Sequence, residues 1–242
     1  VIIDEVHAAD DYMRRYLGGI LQWLGAYGTP VVLLSATLPP EQRAYFLQAY
    51  AAGSGRRPLT TPAAGYPQIT VQGSSTEVLA VPWDGQRRKV SIVAMSEAEL
   101  ADLVVPMVEA GAVVTVIRNT VGSAQSTFSQ LRELVGDRVV LLHSRFLADA
   151  RAARERELRT MLGPPGPATP RPQGFVVVGT QVLEQSLDID ADVMVSDLAP
   201  TDLILQRAGR LHRHERGPGE CDRPEVCRLP RLFLLGVPDL TS

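Results

Sequence analysis

Two acidic residues directly follow the first apolar segment of the chain. Val1-Ile2-Ile3 is typical of a buried strand, and Asp4 and Glu5 come next. At the carboxyl end of a parallel strand, one carboxylate can hold Mg²⁺, and a second can orient and deprotonate a water molecule that attacks a phosphate. We therefore expect Asp4 to hold the metal, usually through water, with Glu5 beside it in the metal site as the general base. An acidic, solvated turn is the alternative.

Hydroxyl side chains end the next predicted strand. In Ser35-Ala36-Thr37, the two hydroxyls could hydrogen-bond the acids on one side and couple them to a following domain on the other. We expect His7 to bridge to that domain rather than to bind a metal. By itself, the same segment also fits a helix N-cap, with Thr37 ahead of Pro39 and Pro40.

The segment Gln206-Arg-Ala-Gly-Arg-Leu-His-Arg213 carries the strongest signal for a functional site. A helix over 201–211 would place Gln206, Arg210 and Arg213 on one face. Two guanidinium groups on one face repel each other unless an anion lies between them, and a nucleoside triphosphate is such an anion. We expect these three residues to act on a transferred phosphate. An exposed basic helix is the alternative.

Polar residues also follow three further predicted strands. Phosphate contacts at the carboxyl edge of a parallel sheet use backbone amides, hydroxyls and cationic groups. Glu184 would repel phosphate and is expected to orient its neighbours, whereas Asp188 is expected to reach the ribose of a nucleotide. Each signal is weak singly, because a polar residue after a strand is often part of a turn. The expected nucleic-acid-binding residues are Arg118, Asn119, His143, Arg145 and Thr180.

Short apolar runs alternate with longer amphipathic segments, which predicts an α/β fold with parallel sheets. The helix predicted over 9–27 has Tyr12, Tyr16, Ile20, Trp23 and Leu24 at helical spacing. A connector over 53–83 that is rich in Gly and Pro, with one or two strands, predicts a domain boundary near residue 85. The segment 217–230 is expected to be a solvated loop. The expected strands are 1–4, 31–35, 90–95, 112–117, 139–142, 175–179, 193–197 and 232–235; the expected helices are 9–27, 40–52, 97–109, 123–135, 148–161 and 201–211.

Composition limits the remaining function classes. The 242 residues include 45% hydrophobic and 21% charged residues, as in an ordinary globular protein. The net charge of -3 means that any nucleic-acid site must be local. No apolar run reaches the ~18 residues of a membrane span and no signal peptide is recognisable, so we expect a cytoplasmic protein without a membrane partner. Cys221 and Cys227 are expected to be reduced surface thiols, and His212 and His214 to be surface donors.

Taken in order, the motifs resemble those of superfamily 2 helicases. The most specific pieces look like the helicase part of the CRISPR-associated helicase-nuclease of type I systems; they are Leu142 to Phe146, Val182 to Asp190 and Leu198 to His214. The resemblance spans nearly the whole chain and implies two RecA-like domains. Residues 1–85 would be the C-terminal part of the first domain plus a linker, and residues 86–242 would be the second. It also implies ATP with Mg²⁺ in the cleft between them, single-stranded DNA across both, recruitment by a guide-RNA surveillance complex, and an HD nuclease domain, fused or separate.

The chain departs from the family pattern at one essential point. The family's phosphate loop ends in Gly-Lys-Ser or Gly-Lys-Thr, whereas the only lysine here, Lys89, lies in Arg-Arg-Lys-Val. Because the β- and γ-phosphates need that loop, we expect negligible ATPase activity from this chain alone. Only two clear strands precede residue 85, so the first RecA-like domain is expected to be truncated at its N-terminus. None of the four histidines precedes an aspartate, so no nuclease site is expected in this chain.

Two other functions remain open at this point. The chain could belong to another superfamily 2 helicase that acts on DNA or RNA. It could also be a non-catalytic nucleic-acid-binding module that engages phosphates through Arg118, Arg145 and Thr180.

Overall fold

A computed structural model describes most of the chain, as two compact units. The first unit covers Val1–Arg87 and the second covers Arg88–Ser242. Among the residues described, no helix is long and apolar enough to cross a membrane. The described residues are 1–6, 11–35, 38–56, 67–73, 76–82, 88–166, 171–184 and 187–236.

The first unit contains two short parallel strands, two helices and a hairpin. Strand β1 pairs in parallel with β2, and β3 pairs antiparallel with β4. The hairpin lies inside the predicted connector. The elements are β1 (Ile2–Ile3), α1 (Asp11–Ala26), β2 (Val32–Leu33), α2 (Pro40–Gly53), β3 (Gln68–Gln72) and β4 (Thr76–Ala80).

Helices α1 and α2 approach each other at glycine residues. A Cβ atom added to Gly18 would lie 2.4 Å from the hydroxyl oxygen of Tyr45. One added to Gly25 would lie 2.3 Å from the carbonyl oxygen of Tyr50. Leu21, between the two glycines, is buried in the core of this unit. The lack of side chains at the contact therefore lets the two helix backbones pack closely.

The aromatic residues at helical spacing on α1 lie on its exposed side. Tyr12, Tyr16 and Trp23 are exposed, which is the opposite of what an apolar stripe usually indicates. The small residues face α2 instead, because the contact distance there excludes larger side chains. The buried residues of α1 are Gly18, Leu21 and Gly25.

The second unit is built on one six-stranded parallel sheet. Its strand order is β5-β10-β9-β6-β8-β7, and all neighbouring strands are parallel. The predicted α/β class is therefore confirmed. The strands are β5 (Ser91–Met95), β6 (Val113–Ile117), β7 (Val139–Leu142), β8 (Phe175–Gly179), β9 (Val193–Asp197) and β10 (Arg231–Leu235). The helices are α3 (Leu100–Glu109), α4 (Val121–Val135), α5 (Ala148–Leu162) and α6 (Thr201–Ala208).

Apolar side chains cover both faces of this sheet, as internal parallel strands require. Every residue of β6 is buried. Val114 packs in one apolar cluster with Leu131 of α4, and Val113 packs in a second cluster with Leu158 of α5. Successive side chains of a strand point to opposite faces, so the two clusters lie on opposite sides of the sheet. The carboxyl ends of the six strands therefore lie along one edge of the sheet, and the polar loops begin there.

Two buried aspartates just before β9 are neutralised by three arginines. Arg223 binds both, with its NH2 group 3.0 Å from Asp190 Oδ1 and its NH1 group against Asp192. Arg216 Nε lies 2.7 Å from Asp190 Oδ2, and Arg171 NH1 lies 2.7 Å from Asp192 Oδ1. Burial opposes the ionisation of Asp190, but Arg223 and Arg171 hold its pKa below the ordinary value. We call these five residues the aspartate-arginine cluster.

The aspartate-arginine cluster connects backbone segments that are far apart in the sequence. Arg216 NH2 donates to the carbonyl oxygen of Gly163 after α5, at 2.6 Å. Arg223 NH2 donates to the carbonyl oxygen of His214, at 2.7 Å. The cluster therefore fixes the segment that leads into β9 against the segment that follows α6.

Two side chains expected at the surface are buried. His212 is 1% exposed, with its Nε2 3.1 Å from the carbonyl oxygen of Asp192. Burial lowers the pKa of His212, which favours the neutral ring. Cys227 is buried, whereas Cys221 is exposed as expected, and burial raises the pKa of Cys227 to about 11. Both expectations are wrong for one reason: the segment after α6 packs on the aspartate-arginine cluster, through buried Arg223, instead of forming a solvated loop.

Replacement of Arg223 by Met should destabilise the fold strongly. The change leaves three carboxylates, those of Asp190, Asp192 and the Arg223 partner Glu220, with only Arg171 and Arg216. Breaking a buried ion pair costs about 3–5 kcal/mol of the free energy of unfolding. Urea titration followed by circular dichroism measures this loss. Arg132→Met is the matched control, because Arg132 pairs with Asp137 at the surface and its side chain is 58% exposed; it should change the free energy by less than about 0.5 kcal/mol. Equal losses in the two variants would contradict the role assigned to the cluster.

The two cysteines should differ in reactivity towards an aromatic disulfide reagent at pH 8. Only the thiolate reacts, and Cys227 is buried with a pKa of about 11, so it should stay unmodified while exposed Cys221 reacts. Absorbance should then report one reactive thiol in the native protein and two after unfolding in guanidinium. The Cys221→Ser variant should show none in the native state; rapid modification of that variant would refute the burial of Cys227.

Candidate functional site

Asp4 and Glu5 lie at the carboxyl end of β1. Because β1 and β2 are parallel, the acids share this edge with Ser35, which follows β2. The backbone N–H of Val6 donates to the carbonyl oxygen of Leu34 at 3.2 Å, so the two segments remain side by side beyond the strands. Asp4 and Glu5 are both exposed, which leaves their carboxylates accessible to solvent.

Glu5 has an uncommon backbone conformation for a residue with a side chain. Its φ is 56°, in the left-handed region. Asp4 Oδ1 accepts a hydrogen bond from the backbone N–H of Glu5 at 2.8 Å, which supports the turn. Strain of this kind is concentrated at functional sites, where surrounding structure maintains it. The expected coupling residues His7 and Thr37 lie outside the described residues.

Arg210 and Arg213 lie beyond the end of α6, because that helix stops at Ala208. The backbone leaves the helix to pair with the segment before β9: the N–H of His212 donates to the carbonyl oxygen of Ala191 at 2.9 Å. His212 also has a φ of 49°, which no regular helix contains. The prediction of one helical face shared with Gln206 is therefore wrong.

The two arginines are nevertheless held in defined positions. Arg210 NH2 donates to the carbonyl oxygen of Glu184 at 2.7 Å. Arg213 Nε lies 2.5 Å from Asp188 Oδ1, and His214 Nε2 lies 3.1 Å from the same oxygen. Partial burial opposes the ionisation of Asp188, but the hydrogen bond from Arg213 and the charges of both partners lower its pKa. The structure thus brings Asp188 and Arg213 together, and His214, which was expected to be a surface donor, is half-buried beside them.

Gln206 occupies the last turn of α6. Its side chain is half-buried, and its Nε2 atom has no hydrogen-bond partner among the residues that the structure describes. A buried amide donor without an acceptor is uncommon and costs free energy, so this nitrogen can donate a hydrogen bond to an incoming anion or water.

Arg207, which the sequence interpretation left without a role, connects several loops at the edge of the sheet. Its side chain is fully buried, and its Nε donates to Glu184 Oε1 at 2.8 Å. Its NH1 group donates to Ser196 Oγ at 2.7 Å and to the carbonyl oxygen of Asp197 at 3.0 Å. Its NH2 group donates to Asn119 Oδ1 at 3.2 Å. The signal available in the sequence was a basic residue next to Gln206 on a short amphipathic helix, which indicates position but not burial.

Glu184 fits its expected role of orienting neighbours. Its carboxylate accepts from Arg207, and its carbonyl oxygen accepts from Arg210. Burial raises the pKa of Glu184, and the charge and hydrogen bond of Arg207 oppose that shift. One residue thus holds both Arg207 and Arg210.

Arg118 and Asn119 follow β6, but their side chains are bound within the protein. Arg118 is 8% exposed, with NH1 2.6 Å from Glu97 Oε1 and Nε 3.0 Å from Asp197 Oδ1. The backbone N–H of Asn119 donates to Asp197 Oδ2 at 2.7 Å, and its Nδ2 donates to the carbonyl oxygen of Leu198 at 2.8 Å. A phosphate would have to compete with these partners, so the binding role of both residues stays a prediction.

The remaining expected nucleic-acid residues follow β7 and β8. Thr180 is buried at the end of β8. His143 is also buried, with its ring stacked on Phe146 at a centroid distance of 4.3 Å, and the guanidinium of Arg154 lies 4.1 Å from the Phe146 ring centre. Burial lowers the pKa of His143, which keeps the ring neutral beside the arginine. Arg145 is exposed next to this stack, and it is the cation most accessible to a phosphate among the five predicted residues.

The described residues include no group of three or more His, Cys, Asp or Glu side chains arranged to hold a metal ion. A magnesium site at Asp4 and Glu5 therefore stays a prediction that depends on water and phosphate ligands.

Comparisons with known proteins agree on one family. Residues 110–216 match the family model described as CRISPR-associated nuclease/helicase Cas3, C-terminal. The CRISPR-associated nuclease/helicase Cas3 of Streptococcus thermophilus is 40% identical over 98% of this chain and 26% of its own length. The chain thus spans about a quarter of the length of this relative.

Solved structures extend the similarity to the fold. The crystal structure of T. fusca Cas3-ADP is 32% identical and matches 100% of this chain and 30% of its own, with a TM-score of 0.85. A chain of a CRISPR RNA-guided surveillance complex, pre-nicking, is 34% identical and matches 97% of this chain and 31% of its own, with a TM-score of 0.82. The chain is thus similar to Cas3 nuclease/helicases over nearly its whole length, which confirms the resemblance seen in its motifs.

Proposed function

We propose that this chain is the helicase part of an ATP-dependent single-stranded DNA translocase of type I CRISPR interference, acting in the cytoplasm. Residues 1–85 would be the end of the first RecA-like domain, and residues 86–242 would be the second. The observation that carries the proposal is the match of the whole of this chain to 30% of T. fusca Cas3-ADP, combined with acids at the end of β1 and arginines held behind α6.

The first unit would supply the metal and the base. Asp4 and Glu5 are exposed at a strand end beside Ser35, a set of oxygen ligands that suits a hard cation retaining several waters. These residues therefore fit Mg²⁺, with Asp4 as its ligand and Glu5 as the base that takes a proton from the attacking water. Bound Mg²⁺ would neutralise charge on the phosphates of ATP.

The second unit would supply positive charge for the transferred phosphate. Arg210 and Arg213 would stabilise charge that develops on the phosphoryl oxygens. Gln206 would position the same group through its amide nitrogen, for which the described segments provide no acceptor. Asp188 would bind the ribose once Arg213 exchanges this carboxylate for phosphate. The ion pair between Asp188 and Arg213 keeps both groups within reach of one nucleotide, and the exchange would break that pair.

Single-stranded DNA and two protein partners complete the proposal. DNA phosphates would contact Arg145 and Asn119, which are exposed at the carboxyl edge of the parallel sheet, whereas buried Thr180 would become accessible only if the surrounding loops move. The similarity to a chain of a guide-RNA surveillance complex supports recruitment by such a complex. The names of the relatives, nuclease/helicase, support an HD nuclease as the second partner.

The natural polypeptide that contains this sequence should hydrolyse ATP when single-stranded DNA is present. Glu5→Gln removes the base and Arg210→Ala removes transition-state charge, so each should lower the DNA-stimulated rate by at least about 100-fold, measured as phosphate release. The 242-residue chain alone, which lacks a Gly-Lys-Ser or Gly-Lys-Thr loop, should release no phosphate above background.

Two matched variants serve as controls for this experiment. Glu41→Gln removes an exposed acid from the first turn of α2, and Arg132→Ala removes an exposed arginine from α4; both should retain the full rate. Absence of DNA-stimulated hydrolysis in the natural polypeptide would favour a non-catalytic binding module, and stronger stimulation by RNA would favour another superfamily 2 helicase.

Binding of single-stranded DNA to the chain should depend on Arg145. Loss of one phosphate contact should weaken binding and reduce the slope of log affinity against log salt by about 0.7. Fluorescence anisotropy with a labelled oligonucleotide at several salt concentrations measures the slope for wild type, Arg145→Ala and the surface control Arg132→Ala. An unchanged slope in Arg145→Ala would remove this residue from the interface.

A further inference from the structure

We propose that Arg207 and Glu184 are positioning residues that couple the loop after β6 to Arg210. This inference rests on the proposed function, in which Asn119 faces nucleic acid and Arg210 faces the transferred phosphate. Neither Arg207 nor Glu184 would touch substrate. Their role would be to make the position of Arg210 depend on the position of Asn119.

The contacts form a continuous chain of short hydrogen bonds. Asn119 Oδ1 accepts from Arg207 NH2 at 3.2 Å, and Arg207 Nε donates to Glu184 Oε1 at 2.8 Å. The carbonyl oxygen of Glu184 then accepts from Arg210 NH2 at 2.7 Å. Three bonds therefore link the loop after β6 to the arginine behind α6.

The same guanidinium also fixes the end of β9. Arg207 NH1 donates to Ser196 Oγ at 2.7 Å and to the carbonyl oxygen of Asp197 at 3.0 Å. The Asp197 carboxylate in turn accepts from the backbone N–H of Asn119 at 2.7 Å. Asn119 is thus connected to Arg207 by two routes, directly and through Asp197, and it cannot move without disturbing the guanidinium.

Because both side chains are buried, the ion pair adds little to stability and needs another explanation. The side chains of Arg207 and Glu184 are 1% and 0% exposed, and within the described part of the chain Glu184 Oε2 has no hydrogen-bond partner. Desolvation of two charges largely cancels their attraction, so an apolar pair of similar volume would serve stability as well. Only a planar guanidinium with five donors can bind Glu184, Ser196 and Asn119 at once. The role of the pair is therefore to link the position of Asn119 to the position of Arg210.

Arg207→Lys in the natural polypeptide is the decisive variant. Lysine keeps the charge that pairs with Glu184 but lacks the planar fork, so it cannot also bind Ser196 and Asn119. The ratio of ATP hydrolysis with single-stranded DNA to hydrolysis without it should fall about tenfold. Glu184→Gln should lower the same ratio. The control Arg138→Lys, which alters a surface pair with Glu109, should leave the ratio within about twofold of wild type.

A structural role alone predicts a different result. It would lower both rates in proportion to a fall in melting temperature and would leave their ratio unchanged; that result would overturn the proposal. The melting temperature and the Michaelis constant for ATP are therefore measured on the same samples. Retention of the wild-type ratio in Arg207→Lys would also overturn it.

Amide hydrogen exchange decides the coupling even if the proposed ATPase fails. In the wild-type polypeptide, addition of a single-stranded DNA oligonucleotide should change exchange in both 117–121 and 209–213. In Arg207→Lys the change should persist in 117–121 and disappear from 209–213, with β6, β8 and β9 still protected. Lack of phosphate release from wild type would count against the proposed function only, whereas an unchanged response of 209–213 in Arg207→Lys would refute the coupling.

Discussion

Charge inside a protein must be neutralised within hydrogen-bonding reach, and this requirement organises the second unit. Asp190 and Asp192 are buried, and they are held by Arg171, Arg216 and Arg223. Displacement of the segment after α6 from the segment before β9 would leave carboxylates unpaired in a medium of low dielectric constant, at a cost of several kcal/mol. The cluster therefore fixes both segments, and with them the functional candidates that lie a few residues away.

A second buried ion pair, Arg207 with Glu184, fixes the loops at the carboxyl edge of the sheet in the same way. Asp192 also accepts a hydrogen bond from the backbone N–H of Val113, so the aspartate-arginine cluster reaches the start of β6. Arg207 and Glu184 act at the opposite end of the same strands, where the polar loops emerge. One set of charges thus fixes the amino ends of the central strands and another fixes the carboxyl ends. Loops between such anchors can carry reactive groups without losing their geometry.

Strand positions followed from the sequence more closely than helix ends did. The strands Val139–Leu142, Phe175–Gly179 and Val193–Asp197 have the expected bounds, because a strand covered on both faces has a nearly continuous apolar run in the sequence. The end of α6 at Ala208 was not predictable, since the backbone leaves the helix to pair with Ala191, which is distant in sequence. Local spacing carries no information about such a partner.

In the candidate site, too, some features follow from the local sequence and others depend on distant segments. Placement of Asp4, Glu5 and Ser35 at one edge follows from two parallel strands, which their apolar runs predict. The burial of Arg207, His212 and Cys227 does not follow, because a charged, titratable or thiol side chain is buried only when partners from other segments surround it. The exposed aromatic side of α1 was missed for a related reason. Glycines at Gly18 and Gly25 set the contact, and periodicity scales give glycine little weight.

The glycine contact between α1 and α2 has a mechanical consequence. The backbones meet with no room for even a methyl group at Gly25, so the helices cannot slide past each other without collision. Each helix follows one of the two paired strands in the chain, with α1 after β1 and α2 after β2. Ile3 of β1 and Leu33 of β2 pack on the same apolar cluster as Leu21 of α1 and Phe46 of α2, so the strand ends that carry Asp4, Glu5 and Ser35 rest on the core that the helix pair builds.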